Sequence, residues 1–209
     1  MENNKKPTIL LVLSKRTTFT SVILKRKDIN VLLLEIEMYK DSYFKKDTKS
    51  KENFIFSITD TFNLENEALN FKRWIEKNRY HYPTFFCNPN EAVQHFAQEF
   101  AKELNLPHLS SFQVDVVRNK IVMKEFYNKI GIPCAIYKEV RSQEEIINFT
   151  KMTGYPIILK PTDSDSCIDT YKLMKNSDIP AIDKQKKWMV EEFIHGEEYQ
   201  ICALISKGK

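Results

Sequence analysis

The chain has 209 residues, 42% hydrophobic and 12% aromatic, enough for a packed core in one large domain or two small ones. Its 32 basic and 28 acidic residues leave a net charge of +4, and no aromatic-basic stripe accompanies the basic clusters at Lys25–Asp28 and Lys45–Lys51, so nucleic acid is not expected as a partner. No apolar run approaches the ~18 residues of a membrane span, and the opening "MENNKKPTILLVLSKR" is too short in apolar residues for a secretory signal, so the chain is expected in the cytoplasm with no membrane partner.

In chain order, Thr8–Leu13, Asn30–Glu35, Asn53–Ile58 and Thr84–Asn88 read as strands, short and nearly continuous in apolarity, as strands covered on both faces are. Between the third and fourth, Leu64, Ala68, Leu69, Trp74 and Ile75 mark a helix. After the fourth, Ala92, Val93, Phe96, Ala97, Phe100, Ala101 and Leu104 form one face of another, which Asn90 can cap. Strands alternating with helices predict a parallel, Rossmann-like α/β domain. It lacks GxGxxG, so it carries no dinucleotide fingerprint.

The stretch "LNLPHLSSF", Leu104 to Phe112, breaks this pattern and divides the chain into domains of residues 1–110 and 111–209. A helix is predicted from Asp115 to Lys129 on the spacing of Val116, Ile121, Met123, Phe126, Tyr127 and Ile130, stopped by Gly131 and Pro133. A strand follows over Cys134–Val140. Ser142 and Glu145 have capping-box spacing for a helix that Gly154 and Pro156 end. Further strands at Pro156–Lys160, Thr170–Leu173, Trp188–Ile194 and Tyr199–Ile205 give this half an α+β, antiparallel character. The last of them leads to a turn at Lys207–Lys209 and leaves a sheet edge open to a partner chain or a second copy. Four cysteines, Cys87, Cys134, Cys167 and Cys202, stand without a CxxC pair and read as reduced structural thiols.

Three stretches could carry chemistry. Lys160 closes the apolar run Ile157, Ile158, Leu159, so its ammonium emerges at the C-terminal end of a strand, where such folds bind ligands. Alone it could equally be a snorkelling lysine. Lys120 stands near the start of a helix. In "WMVEEFIHGEEYQI", Glu191, Glu192, Phe193 and Ile194 precede a turn at Gly196, with Glu198 beyond. That arrangement offers a backbone edge for the donor and acceptor of adenine and a carboxylate for a ribose diol, though a charged β-hairpin has the same look.

Taken in order, "NKIVMKEFYNKIGIP", "GYPIILKP" and "VEEFIHGEEY" resemble the ATP-grasp superfamily, most nearly its carboxylate–amine ligases, over Arg118 to about Ile205. The preceding region resembles that family's pre-ATP-grasp domain. The resemblance implies a Rossmann-like domain followed by an ATP-grasp lobe, with ATP and Mg²⁺ as cofactors and a small carboxylate and an amine as substrates. It makes Lys120 and Lys160 the phosphate-facing lysines. Glu192 and Ile194 would hold adenine through backbone groups, with Phe193 between them, Glu191 opening the segment, Ile158 packing on the purine and Glu198 on the ribose.

The resemblance also implies an acyl phosphate that an amine attacks. It puts the magnesium ligands and catalytic groups in a second lobe beyond residue 209, so the isolated chain is expected to be inactive or nearly so. The loop after Lys160, "TDSDSCID", departs from the family by holding no glycine, which weakens its expected role as a backbone cradle for phosphate. Asp163, Asp165 and Asp169 lack the glycine and terminal glutamate of a calcium loop. A non-catalytic nucleotide-binding or protein-interaction module is the competing reading.

Overall fold

The computed structural model describes residues 6–13, 17–37, 54–164, 167–201 and 203. The chain divides into two compact units, Met1–Arg118 and Asn119–Lys209. The first contains β1 (Thr8–Val12), α1 (Thr17–Lys25), β2 (Asn30–Ile36), β3 (Ile55–Ile58), α2 (Leu64–Asn78), β4 (Phe85–Cys87), α3 (Gln94–Glu103) and α4 (Ser111–Arg118). Its strands pair in parallel in the order β3-β2-β1-β4, the order of a Rossmann half-sheet.

Because successive strand residues face opposite sides, the apolar runs serve two cores. Leu10, Val12, Leu32, Leu34 and Ile36 join Phe71 of α2 and Phe100 of α3. Leu11, Leu13 and Leu33 pack with Ile23 and Leu24 of α1. Asn90 caps a short 3-10 turn, Glu91–Val93, that leads into α3, its side chain accepting from Ala92 N at 3.2 Å. Glu67, only 3% exposed, is tolerated because its Oε1 accepts from Thr59 N, Thr59 Oγ1 and Asp60 N at 3.1, 3.1 and 2.8 Å. Asn53, expected in β3, lies outside the described residues.

The second unit contains α5 (Lys120–Lys129), β5 (Tyr137–Val140), α6 (Gln143–Thr153), β6 (Ile157–Pro161), β7 (Tyr171–Leu173) and β8 (Trp188–Glu192). The order is β5-β8-β6-β7 and every adjacent pair is antiparallel. Ser142 caps α6 by accepting from Glu145 N at 3.2 Å, while Glu145 accepts in return from Arg141 N. Gly154 ends the helix at φ 76°, a left-handed value that favours glycine. Ile146 and Phe149 of α6 pack on Val140, Ile157, Leu159, Leu173, Trp188 and Val190, one face of this sheet.

Two sequence expectations fail. The helix over Asp115–Lys129 is two helices, because Asn119 leaves helical geometry at φ −90°, ψ 112° and caps α5, its side chain accepting from Ile121 N and Val122 N. The strand expected at Tyr199–Ile205 is absent among the described residues. Here β8 is central, with β5 on one side and β6 on the other, so neither edge remains for a hairpin partner. Tyr199 and Ile201 are 79% and 91% exposed. Among the described residues the edges of this sheet are β5 and β7, while Cys202, Leu204, Ile205 and Lys207–Lys209 lie outside them.

Candidate nucleotide site

The face of the second sheet opposite α6 carries the candidate site. Strand alternation sends Ile157, Leu159, Trp188 and Val190 into the α6 core, so Ile158 and Lys160 of β6 face the other way. The register sets Ile158 opposite Glu191 and Lys160 opposite Met189, and on β8's other side Tyr137 opposite Glu191. Ile158, Lys160 and Glu191 are thereby neighbours on one face.

Glu191 is the centre of a buried ionic cluster. One carboxylate oxygen accepts from Lys160 Nζ in a short contact, and the other lies 3.0 Å from Lys124 Nζ. The three side chains are 9%, 12% and 19% exposed for Lys124, Glu191 and Lys160. Lys124 is the buried residue of α5, and its ammonium also sits 5.4 Å from the centre of the Tyr137 ring. Burial pushes the Glu191 carboxyl up, but the hydrogen bonds and charges of Lys160 and Lys124 outweigh it and hold the group below its ordinary value. The cluster therefore contains an ionised carboxylate between two ammoniums, with one positive charge in excess.

Lys120 reaches the same strand exit from α5. Its backbone N–H donates to Thr162 O at 2.8 Å, and its Nζ donates to Ser164 O at 2.9 Å and Ser164 Oγ at 3.2 Å. Thus Lys120, in the N-terminal turn of α5, is fastened to the first residues of the loop that leaves β6, while Lys160 lies on β6 two positions before Thr162 with its ammonium on Glu191.

The remaining residues divide. Phe193 continues β8 with its N–H on Pro156 O at 3.3 Å, and its ring is covered by Lys172 Nζ, 3.6 Å from the centroid, with the His195 ring against its edge. Glu192 is turned to another task, its carboxylate accepting from Ile136 N at 2.8 Å while its own N–H donates to Ile136 O. Ile194 is 63% exposed, and Glu198 is exposed in an irregular segment rather than at the start of a strand. Sequence reasoning missed Lys124, although its i+4 spacing from Lys120 sets both on one side of α5. The apolar stripe drawn through Ile121, Met123, Phe126 and Tyr127 drew attention to residues that are only half-buried.

Among the described residues no three acidic, histidine or cysteine side chains gather to hold a metal, and both oxygens of Glu191 are occupied by lysines.

No family model matches the chain. Among curated proteins it is similar to the D-alanine–D-alanine ligase of Marinomonas sp. strain MWYL1, 30% identical over 91 residues, covering 41% of this chain and 29% of that one. The D-alanine–D-alanine ligase of Geobacter sulfurreducens is 32% identical over 91 residues, with the same two shares. Among solved structures, carboxyaminoimidazole ribonucleotide synthase of Aspergillus clavatus complexed with ATP aligns with a TM-score of 0.66 at 19% identity, over 91% of this chain and 48% of that one. The L-amino acid ligase of Bacillus licheniformis gives 0.64 at 14% identity, over 92% and 45%. The chain shares its fold with these ATP-grasp proteins. Its matches span less than a third of the curated relatives and about half of the solved ATP-grasp chains. Among the described residues, no helix is long and apolar enough to cross a membrane.

Proposed function

We propose that this chain is the ATP-binding portion of an ATP-dependent carboxylate–amine ligase. The observation that carries the reading is that Lys120 is fastened to the loop that leaves β6 while Lys160 lies on that strand just before the loop. Two lysines flanking one strand exit would suit a polyphosphate, because each can supply a charge-assisted hydrogen bond in a partly desolvated place. Ile158, on the same face, offers an apolar surface to a purine. The segment from Glu192 to Ile194 would supply backbone groups to the adenine edge, and Glu198 an acceptor to the ribose diol.

In the whole protein, ATP would phosphorylate a small carboxylate and an amine would attack the resulting acyl phosphate, forming a C–N bond. Magnesium would supply charge neutralisation from groups other than those described here. Lys120 and Lys160 would orient the phosphates and oppose their charge. A cytoplasmic enzyme with reduced cysteines fits Cys87, Cys134 and Cys167, which are free thiols.

Isothermal titration calorimetry of the chain with ATP and adenosine tests the reading. ATP is expected to bind more tightly than adenosine, and Lys120→Met or Lys160→Met to weaken ATP about tenfold each while leaving adenosine nearly unchanged. Undetectable binding at millimolar ATP overturns the proposal.

A further inference from the structure

Lys124 has no place in the reading above, yet it is among the least exposed charged side chains of the second unit, with 7% of the residue exposed. Its partner is Glu191, whose second oxygen is taken by Lys160, the lysine assigned to the phosphates. A phosphate-binding lysine already paired to a buried carboxylate has a difficulty. To turn toward a polyphosphate it must leave an anion behind, and a buried anion without a partner is strongly unfavourable.

The cluster is built to remove that difficulty. With two ammoniums on one carboxylate, either can depart while the other keeps Glu191 neutralised. The two are not equivalent. Lys124 projects from the middle of α5, is 9% exposed at its side chain, and has the Tyr137 ring 5.4 Å from its ammonium. Lys160 is at the end of β6, is 19% exposed, and lies on the strand that runs into the Thr162–Ser164 turn where Lys120 is fastened. Geometry therefore makes Lys160 the member that can be released and Lys124 the one that stays.

We infer that Lys124 is a positioning residue: it holds the charge of Glu191 so that Lys160 is free to exchange that carboxylate for a phosphate. The inference rests on the nucleotide-binding reading and adds to it a residue that contacts no nucleotide. Without Lys124, Lys160 is the one counter-ion left to Glu191 among the described residues, and each phosphate contact made by Lys160 strands the carboxylate. Phosphate affinity falls while adenosine affinity does not.

The test compares dissociation constants for ATP and adenosine by calorimetry on the full chain, using their ratio as the measure of what the phosphates contribute. Lys124→Met is expected to lower that ratio about tenfold, and Lys124→Arg to keep it within about threefold of the parent. The decisive comparison is Glu191→Gln against Lys124→Met/Glu191→Gln. Once the carboxylate is gone Lys124 has nothing to hold, so the two ratios are expected to agree within about threefold. This pair decides the matter even where Lys124→Met alone does not fold. A ratio unchanged in folded Lys124→Met overturns the inference, and so does a Lys124 effect that persists at full size in the Glu191→Gln background, as a purely packing role would give. A parent chain that binds no ATP overturns the nucleotide reading and this inference together. A parent that binds ATP with Lys124→Met unaffected overturns the inference alone.

Discussion

Replacing Glu191 by alanine would leave two ammoniums facing each other in a largely enclosed space. The side-chain exposures of 9%, 12% and 19% make this a buried cluster rather than a surface ion pair. Removing one partner of a buried pair costs about 3–5 kcal/mol, against under about 1 kcal/mol for an exposed pair. The chain has two tryptophans, Trp74 and Trp188, one in each unit. A Trp74→Phe background leaves Trp188 as the reporter of the second unit; it is 3% exposed and pairs with Val140 of β5 and Pro161 of β6. For a unit of this size a urea m-value of about 1 kcal/mol/M turns the loss into a midpoint drop of about 3 M or more.

The loss depends on pH in a fixed direction. The carboxyl of Glu191 lies below its ordinary value of 4.5 when folded, so its contribution is complete above 4.5 and disappears as pH falls through the lowered folded value. The gap between parent and Glu191→Ala is therefore expected to be level from pH 7 down to about 5 and to close below that. A loss under about 1 kcal/mol at pH 7, or a gap that stays constant to pH 3, refutes the buried cluster as described.

Two further substitutions probe how the units are built. Asn119→Ala removes the cap that divides α4 from α5 and is expected to lower the stability of the second unit by about 1 kcal/mol, read from the Trp188 urea transition. Glu67→Ala leaves Thr59 N and Asp60 N without their acceptor beside a position 3% exposed, and is expected to cost the first unit about 2–4 kcal/mol, read from Trp74 fluorescence in a Trp188→Phe background.

The parallel sheet of the first unit was legible because both of its faces are covered. Thr8–Val12 and Asn30–Ile36 carry apolar residues on consecutive positions, which a one-sided strand would not. The capping residues Asn90 and Ser142 were equally readable, since a side chain that accepts from a nearby N–H acts locally. What sequence could not show was strand order. The expectation of a hairpin after β8 assumed that the next segment was its neighbour, whereas β5 and β6 already occupy both edges, and one of them comes from more than fifty residues upstream in register with Glu191. The same non-local pairing hid the cluster. Lys160 and Glu191 could each be picked out as charged residues near strand ends, but only the antiparallel register turns both to one face and sets Lys124 above them. A lysine was also an unexpected choice for the most buried position of α5, because its burial depends wholly on a partner from another element.

The acidic loop after β6 raised the strongest objection to a phosphate site, since three aspartates and no glycine would repel and poorly enclose a polyphosphate. The described residues weaken both parts of that objection. Cys167 and Asp169 adopt φ of 58° and 54°, the left-handed region that glycine usually supplies, so the chain turns there without one. Asp169 is fastened to Lys186, its carboxylate accepting from Nζ at 2.6 Å, and that hydrogen bond and its charge raise the Lys186 ammonium above its ordinary value. The charge of Asp169 is thus already opposed within the loop's own surroundings. At the start of the loop, Ser164 presents its carbonyl and hydroxyl to Lys120. Its first turn therefore holds a cation, while Asp169 near its end is paired with Lys186. An acidic sequence would in this way be compatible with the proposed phosphate site, because the field at a lysine is set by which carboxylates face it and not by how many the loop contains.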